Sequence, residues 1–356
     1  MRGDKMFSTY KPEDVEILLK DISGLVKPLD TAEREKLIQS GKHYSEMLPL
    51  EYESTKEYLQ TYFDALNRFA KKTAAAVANV SKKIYRDKGE NLVLVSLARA
   101  GTSTGILIKH FIEKNFSCKV FHYTISIIRG IGIDNNAVNF ILSRHEPNKI
   151  QFVDGWTGKG AIQNELKKAL KNFPEVDSGL AVLSDPAFVA GKCGTHEDFL
   201  IASSCLNSTV SGLLSRTFLR DDIIGEKDFH GAAFYKNLLD EDMTYQFIDE
   251  VEKNFGLVQN FEFNEATQKN NCGLDEVKEI AKNFGVKNIN FVKPGIGEAT
   301  RVLLRRLPEK ILVHSLTDFE NLGHLYRLAK EKGATLEEYP LKNYKACGII
   351  RVLADN

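Results

Sequence analysis

The sequence predicts an α/β protein with a parallel-sheet core, a helical region before it and a second, smaller α/β domain after it. Three observations carry this. From residue 91, short apolar runs alternate with helix-periodic segments, the pattern of a parallel sheet covered on both faces. Residues 226–270 then hold ten acids against four bases. From 271 the alternation restarts, now with fourteen bases against eleven acids. The chain thus divides into a helical N-terminal region or hood at 1–90, a core at 91–225, an acidic linker or lid at 226–270 and a C-terminal domain at 271–356. Its 356 residues suffice for two or three domains.

In the first region, "PEDVEILLKDI" spaces Val15, Leu18, Leu19 and Ile22 at helical intervals, and a long periodic segment runs from about Ser54 to Gly89. "GKHYSEMLPLEYE" between them is neither helical nor alternating. In the core, "NLVLVSLA", "KVFHYTISII", "KIQFVDG" and "GLAVLSDPA" read as strands. "STGILIKHFIEKN", "DNNAVNFILSRH" and "GAIQNELKKALKNF" read as the intervening helices. The C-terminal domain reads as helix "LDEVKEIAKNFG", strand "NINFVKPG", helix "GEATRVLLRRL", strand "KILVHSL", helix "DFENLGHLYRLAKEKG" and strand "GIIRVL".

A hydrophobic fraction of 43% and a charged fraction of 27% are ordinary for a folded chain. Acids and bases balance, so no global field marks a nucleic-acid or membrane binder. Five scattered cysteines without a CxxC pair argue against a disulfide framework or a zinc ribbon and fit a reducing compartment. The N-terminus turns charged before any long apolar run, and no run reaches the roughly 20 residues of a membrane helix. The expectation is a soluble, cytoplasmic protein with no membrane partner.

Ligands of parallel sheets sit beyond the carboxyl ends of the strands, so the strand-to-helix loops are the candidate sites. The first, "VSLARAGTSTG", combines Ser96, Ala98, Ala100 and Gly101 with a fixed charge at Arg99. Small residues there let backbone N–H groups approach an anion at a helix N-terminus. Its spacing matches neither the P-loop nor the dinucleotide fingerprint. The second, "RGIGIDNN", sets Arg129 beside Gly130 and Gly132, as a mobile arginine loop or a plain turn. The third, "FVDGWTGKGA", puts Asp154 at a strand end. Thr157, Gly158, Lys159 and Gly160 follow, where a carboxylate suits sugar hydroxyls and the turn suits a phosphate.

"FVDGWTGKGA" resembles the 5′-phosphate loop of phosphoribosyltransferases, and "SLARAGTSTG" resembles their pyrophosphate loop. The run from "SLARAG" through "HYTISIIRGIGID" to "CGTHEDFLIASSCLNSTVSGLLSRT" is similar to a bacterial phosphoribosyltransferase-like family found beside tellurium-resistance genes. Members are sometimes labelled cysteine proteases and often end in a Pelota-type RNA-binding domain. The resemblance implies a phosphoribosyltransferase-like core and a small α/β/α Pelota-like domain. It also implies phosphoribosyl pyrophosphate and Mg²⁺ as co-substrate and cofactor, with a base-like acceptor. Asp154 would hold the ribose and the metal, Arg99 and the 97–101 backbone the leaving pyrophosphate, and Arg129 would close over it. One departure is that Gly155 stands where family members carry a second acid after Asp154.

The polar stretch 184–217 resists that reading. Cys193, His196 and Asp198, with Ser211 and Arg216, suit an acceptor pocket. Cys193 with His196 also invites a nucleophile pair, and the first three a metal site lacking a fourth ligand. "NST" is a good N-cap for a helix "TVSGLLSRTFL", and "HYSEMLP" suits a hood over the acceptor. In the C-terminal domain, "KPGIGEATRVLLRR" resembles the Gly-x-Asn-Glu turn of Pelota and kink-turn-binding ribosomal proteins, with Gly297 in place of Asn. That implies structured RNA as a partner through Gly295, Gly297, Glu298 and Arg301. The leading expectation is a phosphoribosyltransferase with an RNA-binding tail. The rivals are a non-catalytic, nucleotide-sensing RNA-binding protein and a cysteine hydrolase centred on Cys193.

Overall fold

A computed structural model describes residues 7–51, 54–263 and 273–351. The chain opens not on the expected helix but on an extended strap, strands β1 (Glu16–Ile17) and β2 (Lys20–Asp21). The first turn of helix α1 (Thr31–Gln39) is capped by the Asp30 carboxylate, and helix α2 (Lys56–Lys88) runs about 50 Å. Val15 and Leu19 bury in one apolar cluster, Leu18 in a second and Ile22 in a third. Helical spacing was therefore misleading. The strap threads between clusters, and its backbone is satisfied by pairing rather than by its own turns.

The core continues with strand β3 (Val93–Leu97), helix α3 (Ala100–Phe116), strand β4 (Phe121–Ile125) and the short hairpin β5 (Ile127–Ile128) and β6 (Gly132–Ile133). Helix α4 (Asn135–Leu142), strand β7 (Ile150–Val153), helix α5 (Ala161–Ala169) and strands β8 (Ala181–Ser184) and β9 (Lys192–Thr195) complete it. The main sheet has the order β1-β4-β3-β7-β8-β9, and every pairing is parallel. Alternate residues feed opposite faces, as a pleated strand requires. Leu92 and Leu94 pack with α2 and α3, while Val93, Val95 and Leu97 pack with α4 and α5. The small side chains of Ala74, Ala75, Ala76 and Ala78 let α2 lie against β9. A Cβ on Gly194 would stand 2.3 Å from the Ala76 carbonyl oxygen. Strand β9 was not expected, because its "KCGT" carries almost no apolar signal.

Two further expectations give way. Residues 208–219 are not a helix. A 3₁₀ turn at Ser208–Val210 ends where Gly212 and Leu213 take positive φ of 67° and 56°. The chain then folds back, bridging Leu214 to Phe234 and Phe218 to Gly231. The acidic segment is not a linker either. It carries strand β10 (Gly231–Ala232), which pairs with β2, and helix α6 (Thr244–Glu252), whose Phe247, Ile248 and Val251 are buried in the main cluster. Its last residues, 264–270, lie outside the described residues, as does Cys272.

The C-terminal domain comprises helix α7 (Gly273–Asn283), strand β11 (Val292–Pro294), helix α8 (Ile296–Arg305), strand β12 (Pro308–Val313), helix α9 (Phe319–Lys332), and strands β13 (Thr335–Glu338) and β14 (Ala346–Ile350). The mixed sheet β11-β14-β12-β13 has α7 on one face and α8 with α9 on the other, an α/β/α layering. The α8 face shares one continuous apolar cluster with the core: Ile296, Ala299 and Val302 join Phe199, Leu200 and Ile201. Among the described residues no helix is long and apolar enough to cross a membrane.

The strap and α6 are tied to α3 at one imidazole. His110 Nε2 lies 2.7 Å from Asp14 Oδ1, Nδ1 meets Glu252 Oε1, and Asp14 Oδ2 accepts from the Tyr245 hydroxyl at 2.5 Å. Burial works against the charge on His110, but hydrogen bonds to the two carboxylates outweigh it and push the imidazole up to about 9. A folded pKa raised above the ordinary 6.5 contributes stability that is complete below 6.5 and lost as pH rises through about 9. Thermal melts between pH 7 and 9.5 should therefore show a steeper fall in Tm for the native chain than for His110→Gln. Parallel curves would show that the latch does not hold.

Candidate functional site

The carboxyl ends of β3, β7, β8 and β9 bring four loops together. The first is shaped by close packing: a Cβ on Gly101 would lie 2.6 Å from the Val153 carbonyl oxygen, and one on Gly105 2.1 Å from Ser96 Oγ. These glycines seat α3 on the sheet, so its first turn adjoins Asp154. The amides of Arg99, Ala100 and Gly101 meet no acceptor among the described residues, as expected at a helix start. Ser96 leaves the expected phosphate set, because it points under α3, fully buried, with Oγ 2.8 Å from His122 Nε2. Ala98 donates its amide to the Ile125 carbonyl at 2.8 Å. The Arg99 guanidinium is committed within the protein, to Glu51 Oε1 at 3.0 Å, the Leu214 carbonyl at 2.6 Å and Asn207 Oδ1 at 3.3 Å.

Asp154 ends β7. Its Oδ1 accepts the Gly155 amide at 2.8 Å, and Oδ2 has no partner among the described residues. Burial pushes this carboxyl up to about 6, against the Gly155 amide and Arg301, which lower it; Glu298 adds to the rise. Beyond it the third loop divides its donors. The Thr157 hydroxyl is spent on Asp185 Oδ1, and Lys159 Nζ on the carbonyls of Ile289 and Val292 at 2.6 and 3.2 Å. The amides of Gly158, Lys159 and Gly160 meet no acceptor among the described residues, and they run directly into the N-terminus of α5. Gly160, at φ 82°, makes that entry.

The C-terminal domain packs onto this edge. Asp198, expected in an acceptor pocket, is instead a buried cap. Its carboxylate accepts the Ile296 amide at 3.1 Å and the Lys345 amide at 2.9 Å, so a core residue caps α8. Glu197 Oε1 accepts from Lys72 at 2.6 Å and Lys345 at 2.8 Å. The Tyr344 hydroxyl donates to the Gly158 carbonyl at 2.5 Å. The turn expected to face RNA is turned inward. Gly295 sits against Asp198, Gly297 lies against Ser204 and Trp156, and Glu298 pairs with Arg301 at 3.0 Å. The Arg301 guanidinium lies 4.6 Å from the centre of the Trp156 ring.

At the junction of the two domains, one cation of the core crosses to the C-terminal domain. Arg129, exposed on the β5–β6 hairpin, reaches Asn290 Oδ1 at 3.4 Å. Its backbone is held by the Tyr44 hydroxyl and His43, the "HYSEMLP" segment. Arg216 is exposed and makes no side-chain hydrogen bond or ion pair among the described residues. Lys293, half-buried, likewise has no partner. Burial lowers its ammonium, Glu298 opposes, and Arg306, Arg129 and Arg216 lower it further. Ser211 is buried and donates to the Asn207 carbonyl at 2.7 Å, away from the cleft.

The polar stretch holds a second cluster. Cys193 Sγ lies 3.5 Å from His196 Nε2, and His196 Nδ1 lies 2.8 Å from the Asp185 carbonyl and 3.7 Å from its Oδ2. Phe188 stacks on the imidazole at 3.9 Å. The third member is Asp185, not Asp198. Ligand atoms of Asp185, Cys193 and His196 lie within 4.8 Å of one another, but the Asp185 carboxylate already accepts from Thr157, Val189 and Ala190. Asp185 escaped the sequence reading although it directly follows a strand end, the signal that singled out Asp154.

Residues 8–252 match the family described as tellurite-like stress resistance cysteine protease StiP, and residues 271–352 match the Pelota RNA-binding domain. A protein named cysteine protease StiP from Acinetobacter baylyi (strain ATCC 33305 / BD413 / ADP1) is 37% identical over 341 residues, covering 90% of this chain and 88% of that one. The chain belongs to the StiP family. Among solved structures, a Leishmania tarentolae HGPRT-ase in complex with GMP is 16% identical, covers 33% of this chain and 67% of its own, and has a TM-score of 0.25. A Trypanosoma cruzi hypoxanthine phosphoribosyltransferase is 18% identical, covers 34% and 71%, and has a TM-score of 0.26. The StiP match ends at 252 and the Pelota match begins at 271, so the interface described above joins the family's two parts.

Replacing Asp198 by Ala should cost about 2 kcal/mol from the lost cap, and more if the Lys345 amide is left buried and unpaired. Urea unfolding measures it, and a midpoint unchanged from the native chain would remove Asp198 from the interface.

Proposed function

We propose that the cleft binds phosphoribosyl pyrophosphate and transfers its ribosyl group to a base-like acceptor. The observation that carries this reading is the run of three acceptor-free amides, Gly158 to Gly160, at the start of α5 and four residues beyond Asp154. Successive N–H groups at a helix N-terminus suit a phosphate dianion, and an adjoining carboxylate suits ribose hydroxyls. In the transfer, the bond from the ribosyl anomeric carbon to pyrophosphate breaks and the electron pair leaves with pyrophosphate. An acceptor nitrogen forms the new bond and releases its proton to solvent. Asp154, ionised above about pH 6, faces the positive charge that develops on the ribose. The residues fit a magnesium ion carried in on substrate phosphates, which needs only one or two protein carboxylates; Asp154 Oδ2 is open to it. Such an ion supplies neutralisation of the departing pyrophosphate charge.

A second reading has its own observation, the 3.5 Å contact between Cys193 and His196. It makes Cys193 a nucleophile and His196 its base, in keeping with the name of the Acinetobacter relative. Against it, Cys193 is only 6% exposed. Its neighbouring loop is also pinned by the C-terminal domain, where Asn343 donates to the Pro186 carbonyl at 3.1 Å and Gly273 to that of Ala187 at 2.9 Å.

Pyrophosphate release from phosphoribosyl pyrophosphate, with Mg²⁺ and a panel of nucleobases, separates the two. Asp154→Asn should lose about a hundredfold in rate, while Cys193→Ala and His196→Ala keep native turnover. In the native chain, activity should fall as pH drops through about 6 and Asp154 takes up its proton. Native turnover in Asp154→Asn would sink the transferase reading. Peptide or ester hydrolysis abolished by Cys193→Ala would install the second.

A further inference from the structure

Of the three amides at the start of α5, the middle one takes its direction from outside the core. The core grips the first half of the loop: the Gly155 carbonyl accepts the Leu183 amide at 3.0 Å, and the Thr157 amide donates to the Ser184 carbonyl at 3.0 Å. The second half is held by the C-terminal domain. Lys159 Nζ reaches the carbonyls of Ile289 and Val292, and the Tyr344 hydroxyl donates to the Gly158 carbonyl at 2.5 Å. The atoms nearest a Cβ on Gly158 would belong to Pro294. The Gly158–Lys159 peptide is a trans plane, so its carbonyl and its N–H point in opposite directions. Whatever fixes the Gly158 oxygen therefore fixes the Lys159 amide, which meets no acceptor among the described residues. Glycine leaves such a peptide free to rotate when nothing holds it.

Tyr344 is itself firmly placed. Its ring is 2% exposed, in the cluster of Val277, Ile280 and Val292. Its hydroxyl occupies a slot left by Gly273, where a Cβ would stand 1.9 Å from the oxygen. Gly273 in turn donates its amide to the Ala187 carbonyl at 2.9 Å, so the slot is tied to the core. Burial raises the hydroxyl well above its ordinary range and keeps it a donor. We propose that Tyr344 is a positioning residue for the phosphate site: by holding the Gly158 carbonyl on its own side, it turns the Lys159 amide to the ligand. A residue of the C-terminal domain thus completes a site built on the core. The proposal rests on the phosphoribosyl reading above and deepens it.

The test is calorimetric titration of ribose 5-phosphate, and in parallel of phosphoribosyl pyrophosphate with Mg²⁺, into the full chain. Tyr344→Phe keeps the ring and removes the hydroxyl. It should weaken both ligands about tenfold, the size of one lost hydrogen bond. In turnover it should raise KM for phosphoribosyl pyrophosphate and leave kcat near native, because a phosphate remote from the breaking bond is bound alike in ground and transition states. Asn343→Ala is the control, since Asn343 also bridges the domains, but at the Pro186 carbonyl; it should bind both ligands as the native chain does. Trp156 is the single tryptophan and lies 4.6 Å from the Arg301 guanidinium across the same junction, so its emission reports docking and should not change in Tyr344→Phe. Native affinity in Tyr344→Phe overturns the positioning role and leaves the phosphoribosyl reading standing. Equal losses in Tyr344→Phe and Asn343→Ala, or a shifted Trp156 emission in Tyr344→Phe, assign the effect to docking as a whole and also overturn it. If the native chain binds neither ligand, the role and the phosphoribosyl reading fall together.

Discussion

The Asp198 carboxylate, buried between two domains, accepts the amide hydrogens of Ile296 and Lys345, and the geometry of the site depends on that contact. A carboxylate taken out of water is costly unless hydrogen-bonded, and burial does push Asp198 up to about 6 even with these partners. What it achieves is orientation. The positive end of α8 is pulled toward the core, the apolar faces of α8 and α9 merge with the core's own cluster, and Glu197 adds an ion pair to Lys345. Once docked, Tyr344 and the 289–292 segment reach the loop after Asp154, so that loop's shape is set by both domains.

Contacts within the protein partition the donors at the sheet edge, and docking accounts for Lys159. Side chains that look available in isolation, the Thr157 hydroxyl, the Lys159 ammonium and the Arg99 guanidinium, are consumed in holding protein to protein. The groups left over are backbone amides and two cations. The Cys193–His196 pair lies one hydrogen-bonded step away. Asp185 links the two centres, accepting from Thr157 on one side and lying against His196 on the other. Any change at Asp185 therefore acts on both.

Much of the fold was legible because its strands are buried on both faces. Val93–Leu97, Ile150–Val153 and Ala181–Ser184 read as apolar runs between helical periods, and the structure has strands there. Illegible elements owe their form to partners distant in sequence. The strap at 16–21 pairs with strands at 121–125 and 231–232, β9 is polar and held against an alanine face of α2, and the 208–219 segment is bent by Gly212 and Leu213. At the site, strand-end position singled out Asp154 and the 157–160 turn. The same rule applied to "LSDPA" would have added Asp185.

By itself the sequence determined the parallel core, the small α/β/α domain and the set of loops gathered at one sheet edge, because hydrophobic periodicity and turn residues act locally. Only the tertiary structure decided which of those loop groups are free. A donor's availability depends on whatever packs against it: for Lys159 that is a domain more than a hundred residues further along the chain, and for Arg99 it is Glu51, Asn207 and the Leu214 carbonyl. Arg99 and Lys159 look available in the sequence and are not; Lys293 does not stand out there, and it is available.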